Sequence, residues 1–285
     1  MKICVIIPSH SPSVYTKLTV ATLLRTVGKN HDLNIHIGVH ANLRDYTEDF
    51  SMFEELKGLV QFHVVDEIDW MYHARNTYRY SLMHAKNLEN LLKNVRYYDF
   101  DYLVILDNDM YIKSDFISLL TKNQKDYDLI YSYFNRDVNT VYNERSSITG
   151  EYNLTVQFMP RLSVWNVILS RKLYNKIMED TSIIYVDRIE DQQRILEYKQ
   201  YIPEIDENYP IVFDTLAKVN LHTNHIWQDM NTLEVEDTYM KELIRHFFGS
   251  SFNYGILINF NTQGEGIATE IYNAEFPNGL RDFKK

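Results

Sequence analysis

Cysteine is nearly absent from this chain of 285 residues, which contains only Cys4. One cysteine excludes an internal disulfide framework and any zinc site built from several thiolates. Cys4 also lies inside the apolar run 3–7, away from any obvious base, so it makes a poor nucleophile. The sequence therefore predicts a protein of a reducing compartment, and we expect a cytoplasmic location.

Long hydrophobic runs are also missing. The apolar run 3–7 is too short for the core of a signal peptide, and no later segment approaches the roughly 18 apolar residues of a membrane span. We therefore expect no integral membrane contact.

The chain has fewer basic than acidic residues, with 29 Lys and Arg against 39 Asp and Glu, for a net charge of −10. That balance disfavours a surface for non-specific nucleic-acid binding, although it leaves room for a local basic groove.

Several catalytic signatures are absent as well. The chain has no Gly-x-Gly-x-x-Gly sequence, no Gly-Lys-Ser/Thr phosphate loop and no nucleophile elbow of the serine hydrolases. Dinucleotide enzymes, P-loop enzymes and serine hydrolases therefore find no support.

What the sequence does contain, in its first half, is an alternation of short apolar runs with helical patterns. This alternation predicts an α/β fold with a mostly parallel central sheet flanked by helices. The predicted strands are 3–7, 34–39, 60–65, 102–106 and 129–133, and the predicted helices are 14–27, 49–57, 73–94 and 116–122, the last capped by Ser114 or Asp115.

The second half is less regular. We predict a long polar loop or flap over 135–152, a strand at 163–169, helices at 171–179, 191–201 and 235–248, and a strand at 255–260, whereas the last 25 residues have no clear period. The simplest division is a catalytic domain of residues 1–230, with halves 1–130 and 131–230, followed by a C-terminal helix and strand extension of residues 231–285.

The stretch "YLVILDNDMYIKSDF", residues 102–116, places Asp107, Asn108 and Asp109 at the mouth of a hydrophobic strand. In extended geometry the two aspartates project to the same side, because side chains repeat every two residues. Paired carboxylates suit Mg²⁺ or Mn²⁺ carrying a diphosphate. The alternative is a solvated turn in which Asp and Asn bond their own backbone.

Other polar residues follow neighbouring predicted strands. Ligands of open α/β sheets bind at the carboxyl ends of the strands, so these loops are expected to meet the aspartates. They contribute Pro8, Ser9 and His10 after the first strand, His40 and Asn42 after the second, and Asp66 after the third.

Three stretches carry a resemblance to a known family. "CVIIPSHS" (4–11) resembles the opening strand and nucleotide loop of the GT-A-fold glycosyltransferases, in particular the large family with an Ile-Pro opening strand. "HARNTYRYSL" (73–82) is similar to the Ala-Arg-Asn helix start of that family, and residues 98–120 resemble its Asp-x-Asp strand with the acidic helix cap beyond it. The three occur in the family's order over about 110 residues of the chain.

The resemblance implies a metal-dependent transferase of GT-A-like, Rossmann-type fold. Asp107 and Asp109 would hold Mn²⁺ or Mg²⁺ on a nucleotide-sugar diphosphate, with Asn108 beside the donor. Arg75 would lie near the phosphates, and residues 8–10 would border the base. An ordinary salt-bridged helix residue is the alternative for Arg75.

The chain departs from the family after the second strand, where "GVHANLRD" replaces an Asp-Asp-Gly-Ser cluster. The base and ribose contacts cannot be carried over there. His40 and Asn42 occupy that place, and Asp66 is a candidate for part of the missing recognition. A UDP-sugar is the working expectation for the donor.

"RIEDQQRILEY" (188–198) is similar to the family's acidic helix start in the second half. An inverting transferase needs a carboxylate to accept the proton of the acceptor hydroxyl, and Asp191 or Glu190 is the candidate. The alternative role of Asp191 is to cap the following helix.

"LHTNHIW" (221–227) supplies His222 and His225, and a late histidine completes the metal site in several GT-A families. Either histidine can instead be an ordinary hydrogen-bonded residue of the core or surface. A late histidine ligand also occurs in retaining enzymes of this fold, so retention is the alternative to the favoured inversion.

The expected function is transfer of a sugar from a nucleotide-sugar donor to a hydroxyl acceptor. The acceptor is left open between a glycan, a lipid, a protein and a hydroxylated DNA base, as is the oligomeric state. Two rivals are a nucleotidyltransferase acting on a sugar phosphate, whose usual Gly-rich basic loop is missing from "PSHSPSVYTK" (8–17), and a non-catalytic sugar-nucleotide-binding module.

Overall fold

The computed structural model describes residues 1–9, 13–40, 51–65, 79–122, 126–144, 154–163, 166–247 and 258–284. The strands are β1 Lys2–Pro8, β2 Asp32–His40, β3 Gln61–Val65, β4 Tyr102–Ile105, β5 Met110–Ile112, β6 Leu129–Tyr131, β7 Tyr133–Asn135, β8 Asn139–Glu144, β9 Leu154–Phe158, β10 Arg161–Leu162, β11 Val167–Ser170, β12 Asp187–Ile189, β13 Ile211–Phe213, β14 Thr232–Glu234 and β15 Ile244–His246.

The α-helices are α1 Val14–Thr26, α2 Ser51–Leu56, α3 Arg79–Val95, α4 Phe116–Thr121, α5 Arg171–Glu179, α6 Gln192–Lys199, α7 Ala217–Leu221, α8 Asp237–Leu243 and α9 Ile258–Glu275. Short 3₁₀-helices span Val27–Lys29, Thr181–Ile184 and Gly279–Phe283, and a π-helical turn spans His222–Ile226. No helix of the described ranges is long and apolar enough to cross a membrane.

The main sheet has seven strands in the order β14-β6-β11-β4-β1-β2-β3. All neighbours are parallel except β11, which runs antiparallel to both β4 and β6. Strands β1 and β4 are buried almost throughout, as central parallel strands with both faces covered require. The predicted α/β class is confirmed, and this mixed architecture is consistent with a GT-A-like, Rossmann-type fold.

Two hydrophobic clusters cover the two faces of the main sheet. One contains α1 and the C-terminal helix α9, and the other contains α3 and α5. A separate four-stranded sheet has the order β12-β13-β9-β8, and its cluster packs α6 and α7. Because the parallel strands of the main sheet share one direction, the loops that follow β1, β2, β4, β6 and β14 all leave from one edge.

Most of the predicted elements of the first half are confirmed within one or two residues at each end that the structure describes. The predicted strand 129–133 is divided into β6 and β7. The predicted loop 135–152 contains strand β8, and its residues 145–152 lie outside the described ranges. The predicted strand 163–169 begins only at Val167, and it runs antiparallel to its neighbours.

The C-terminal predictions were wrong in two places. The helix predicted over 235–248 ends at Leu243, and the chain continues as β15 because it pairs with β5. Residues 258–260 of the predicted strand 255–260 are helical, while 255–257 lie outside the described ranges. Helix α9 buries Ala268 and Tyr272, spaced four residues apart, in the cluster with α1, and Phe276 just beyond the helix joins the same cluster. The packing of α9 with α1 thus outweighs the strand-favouring composition on which the prediction for 255–260 was based. The division at residue 230 stays a prediction, and β14 beyond it joins the main sheet.

Candidate metal centre at the carboxyl edge of the main sheet

The two aspartates of the candidate site lie in the turn between β4 and β5. The Leu106 amide extends the sheet by donating to the Ile6 carbonyl oxygen at 3.0 Å, and the chain then turns at Asn108 and Asp109. The turn follows the carboxyl end of β4, a central strand, and therefore lies at the carboxyl edge of the main sheet. This is where ligands of open α/β sheets bind.

A histidine joins this pair from a remote part of the sequence. Strand β15 pairs antiparallel with β5 so that His246 lies opposite Met110, and the Phe247 amide donates to the Asp109 carbonyl oxygen at 3.0 Å. The His246 Nε2 atom is 2.9 Å from Oδ1 of Asp109 and 3.6 Å from Oδ2 of Asp107. One ligand atom from each of the three side chains lies within 4.8 Å of the others.

The three side chains differ in burial, and this sets their electrostatics. Asp109 is fully buried, whereas the side chains of Asp107 and His246 keep exposed fractions of 13% and 9%. Burial by itself lowers the pKa of His246, but the hydrogen bond that its ring donates to Asp109 and the charges of Asp109 and Asp107 together raise the pKa above the ordinary value. A buried carboxylate needs such a positive partner, which a proton on His246 or a bound cation can supply.

The chemistry of this donor set fits a divalent cation. Two carboxylates provide hard oxygen ligands, and the imidazole provides one nitrogen, a combination that Mn²⁺ accepts readily and Mg²⁺ accepts less readily. The three side chains leave other coordination positions to a substrate or to water. The group Asp107, Asp109 and His246 is thus a candidate metal centre.

A second histidine lies on the other side of Asp107. Helix α3 places Nε2 of His84 at 3.7 Å from Oδ1 of Asp107. That distance is too long for a hydrogen bond. Asp107 therefore lies between His84 and His246, with one carboxylate oxygen turned toward each.

Asn108, predicted to contact the donor, is largely buried and holds the turn in place. Its Nδ2 group donates to Oγ of Ser9 at 2.9 Å. On the α1 side, Oγ1 of Thr19 lies 3.0 Å from the Asn108 carbonyl oxygen and accepts the Met110 amide at 2.9 Å. The structure therefore places Ser9 and Asn108 together beside the two aspartates.

The other predicted donor-binding residues are only partly described. Pro8 ends β1, and the buried Ser9 donates its amide to the Gly38 carbonyl oxygen at 2.9 Å. His40 is the last residue of β2. The remaining predicted residues lie outside the described ranges: His10, Asn42, Asp66 and Arg75.

His222 and His225, the predicted histidine ligands, belong to the π-helical turn after α7 and are not members of the three-residue group. His222 packs edge-on against Trp227, with ring centroids 5.0 Å apart. Burial lowers the pKa of His222, against the opposing charge of Asp180. His225 is exposed.

The predicted catalytic carboxylates lie at the end of β12, in the four-stranded sheet. Glu190 forms an ion pair with Nε of Arg188 at 2.8 Å. Asp191 is exposed and caps helix α6 by accepting the Arg194 amide at 2.9 Å. The capping role considered for Asp191 is confirmed, and a catalytic role for either residue stays a prediction.

Sequence reasoning missed His246 and His84. His246 was placed inside a predicted helix, and the structure shows the period-two alternation of a strand there instead: Ile244 is buried, Arg245 is exposed and His246 is partly buried. His84 lies in the predicted long helix, and only its proximity to Asp107 in the fold sets it apart.

Comparison with known proteins adds little at the level of sequence. No family model matches the chain, and no curated protein matches it. Among solved structures, the chain is similar to 4-diphosphocytidyl-2C-methyl-D-erythritol synthase from Anaerococcus prevotii, with 12% identity, a TM-score of 0.35, and coverage of 76% of this chain and 88% of that one.

It is also similar to the glycosyltransferase GlyE of Streptococcus pneumoniae, with 11% identity and a TM-score of 0.38. That match covers 98% of this chain and 64% of GlyE, so the chain spans less than two thirds of the length of GlyE. At these TM-scores neither likeness supports an activity, which has to rest on the geometry of the chain's own residues.

Proposed function

We propose that the chain is a metal-dependent glycosyltransferase that moves a sugar from a nucleotide-sugar donor to a hydroxyl acceptor. The observation that carries this proposal is the meeting of Asp107, Asp109 and His246 at the carboxyl edge of a mostly parallel sheet, with ligand atoms within 4.8 Å of one another. The ordered motifs of residues 4–11, 73–82 and 98–120 support the same reading.

The three side chains would hold Mn²⁺ or Mg²⁺, with Mn²⁺ favoured by the imidazole ligand. When bound, the cation supplies Lewis-acid stabilisation of the negative charge on the departing nucleoside diphosphate. Asp109, being fully buried, would fix the position of the group, whereas Asp107 is partly exposed and would be the more accessible of the two carboxylates to a donor.

The acceptor hydroxyl must lose a proton, and we propose Asp191 as the base, with Glu190 as the alternative. Asp191 is exposed and accepts a single backbone hydrogen bond, so its carboxylate keeps lone pairs for an acceptor. Glu190 is held by Arg188, which favours a structural role for it. A base of this kind corresponds to an inverting reaction.

Around the donor, we propose that Pro8, Ser9, His10, His40, Asn42 and Asp66 contribute to nucleotide recognition and that Arg75 contacts the phosphates. Asn108 would contribute mainly by holding the turn between the two aspartates. A UDP-sugar is the first donor to test, and glycans, lipids, proteins and hydroxylated DNA are the acceptor classes to test after it.

The proposal is tested by incubating the protein with Mn²⁺ and a panel of sugar nucleotides. We expect slow release of nucleoside diphosphate from one of them, and none after addition of a chelator. Release of pyrophosphate from a nucleoside triphosphate in the presence of a sugar phosphate would instead identify a nucleotidyltransferase. Tight binding of a sugar nucleotide with no release under any condition would identify a binding module and contradict the proposal.

A further inference from the structure

The turn that carries the two aspartates is tied to the loop after β1 by buried polar contacts. Asn108, between the aspartates, donates through Nδ2 to Oγ of Ser9 at 2.9 Å. Both Asn108 and Ser9 are buried. The position of Ser9 therefore determines where the Asn108 side chain, and with it the turn, is held.

Ser9 is in turn held by a residue of helix α3. Asn87 is only 1% exposed, and its Nδ2 group donates to the carbonyl oxygens of Ser9 at 2.9 Å and Gly38 at 3.1 Å. The Ser9 amide also donates to the Gly38 carbonyl oxygen at 2.9 Å. One side-chain amide thus fastens the carboxyl ends of β1 and β2 to each other and to α3.

The close approach of Asn87 to the sheet requires a glycine at position 38. A Cβ atom on Gly38 would lie 1.7 Å from Oδ1 of Asn87 and 2.8 Å from its Cγ, so no other residue fits while Asn87 keeps its place. Gly38 has no positive φ, and space rather than backbone conformation is the reason for the glycine.

Asn87 carries a cost beside these contacts. Within the described part of the chain, Oδ1 of Asn87 is buried and has no hydrogen-bond partner. A buried polar atom left in that state is destabilising, and it offsets part of what the two Nδ2 hydrogen bonds contribute. Local rules of this kind are broken most often at functional sites.

We propose that Asn87 is a positioning residue of the metal centre, acting through Ser9 and Asn108 to set the orientation of Asp107 and Asp109. The inference rests on the proposed function in so far as these aspartates bind a cation. The described hydrogen bonds of Asn87 go to the carbonyl oxygens of Ser9 and Gly38 rather than to the aspartates. Its contribution is to hold the ends of two strands at the distance that the turn requires.

The first experiment measures Mn²⁺ affinity of the full chain by titration followed by electron paramagnetic resonance. Asn87→Leu keeps the number and branching of the side-chain heavy atoms and removes the donor, and we expect about tenfold weaker binding, the size typical of residues that orient metal ligands. Leu91→Ala is the matched control, because Leu91 is fully buried one helical turn away and also borders Gly38. It should lower the melting temperature and leave Mn²⁺ affinity unchanged.

A second variant approaches the same contact from the strand. Gly38→Ala should displace the Asn87 amide and weaken Mn²⁺ binding to a similar degree. The double variant Gly38→Ala/Asn87→Ala should bind no more weakly than Asn87→Ala alone, because both changes break one linkage. Additive losses, an unchanged affinity in Asn87→Leu, or an equal loss in Leu91→Ala would overturn the proposal.

Failure of the proposed function gives a different result. If the parent protein binds no Mn²⁺, or binds it equally well after Asp109→Asn, the metal centre is wrong whatever Asn87 does. Crystal structures of the parent and Asn87→Leu without metal then decide the positioning role. A shifted turn at residues 107–109 with a lost Asn108–Ser9 hydrogen bond supports it, and superimposable turns overturn it.

Discussion

The main sheet and the four-stranded sheet both end in acidic side chains, but the two regions use them differently. In the main sheet, the fully buried Asp109 is paired with His246, whose Nε2 atom lies 2.9 Å from Asp109 and 3.6 Å from Asp107. In the four-stranded sheet, the exposed Asp191 caps its own helix and Glu190 pairs with a residue two positions away.

The difference shows what burial does to a polar group. A buried carboxylate must be paired, so its neighbours are recruited from distant parts of the chain, and each group then depends on the others. An exposed carboxylate is solvated and needs only a local partner. Substitutions should therefore have large, coupled effects at the metal centre and smaller, separable effects in the four-stranded sheet.

The largest effect is expected for Asp109→Asn. The substitution preserves shape but removes a carboxylate ligand and the charge opposite His246, so we expect Mn²⁺ affinity to fall at least about 100-fold, with loss of nucleoside diphosphate release. Calorimetric titration with Mn²⁺ measures the first effect.

Asp128→Asn is the control for Asp109→Asn. Asp128 is also a buried acid of the main sheet, but it is bound by Ser170, Lys172 and the Asn231 amide. Its substitution should lower the free energy of unfolding and leave Mn²⁺ affinity unchanged. Equal Mn²⁺ affinity in Asp109→Asn and the parent would remove the basis of the proposed function.

The comparison predicts a separation of effects at Asp191. Asn also caps helices well, so Asp191→Asn should retain stability and Mn²⁺ affinity while turnover falls about 100-fold, the usual loss for a general base. Asp191→Ala should in addition lose about 1 kcal/mol of stability through the missing cap. The measurements are kcat for donor and acceptor together and thermal unfolding.

An Asp191→Asn variant with the turnover of the parent would leave Asp191 as a cap alone. Glu190→Gln is then the next variant to assay. In either case Mn²⁺ affinity should be unaffected, because Glu190 and Asp191 follow β12 of the four-stranded sheet whereas the metal centre follows β4 of the main sheet.

Substituting His246 and His222 in turn distinguishes the metal site seen in the structure from the metal site expected from the sequence. His246→Gln should weaken Mn²⁺ binding about tenfold, because an imidazole ligand is lost while two carboxylates remain. His222→Gln should leave binding unchanged, since His222 packs against Trp227 instead. Mn²⁺ titrations of both variants show which histidine is a ligand. Weaker binding in His222→Gln alone would restore the sequence-based assignment.

The contrast between these histidines shows what the sequence could reveal. Asp107 and Asp109 were predictable because a hydrophobic strand and a two-residue repeat are local patterns. His246 was not, because it reaches the site through the pairing of β15 with β5, more than 130 positions away from Asp109. Periodicity indicates that a strand exists but not which strand it pairs with or in what register.

The fold divides in the same way. Strands β1 to β4 and helix α1 were predicted because their apolar patterns are strong and continuous. Helix α9 was missed because the role of Ala268 and Tyr272 becomes apparent only in their packing with α1. The link from Asn87 to Gly38 was also beyond the sequence, because it depends on how closely α3 approaches β2.

A separate prediction concerns acid stability, which should also depend on the main sheet. His36 on β2 is buried against His63 on β3, with Nδ1 2.8 Å from Nε2, and against the ring of Tyr98. Burial, with a smaller contribution from the His63 charge, lowers the pKa of His36 from 6.5 to about 4. Burial also lowers the pKa of His63.

Between pH 6.5 and 4 the unfolded chain therefore binds a proton at His36 that the folded chain does not bind. The free energy of unfolding should fall as the pH falls through this window, by up to about 1.4 kcal/mol per pH unit for one proton. Urea unfolding of the parent and His36→Asn at several pH values measures this slope, which should be shallower in the variant. His225→Asn, a change at an exposed site, should keep the slope of the parent. A parental slope in His36→Asn would place the acid-sensitive group elsewhere and weaken the contrast between the two sheets.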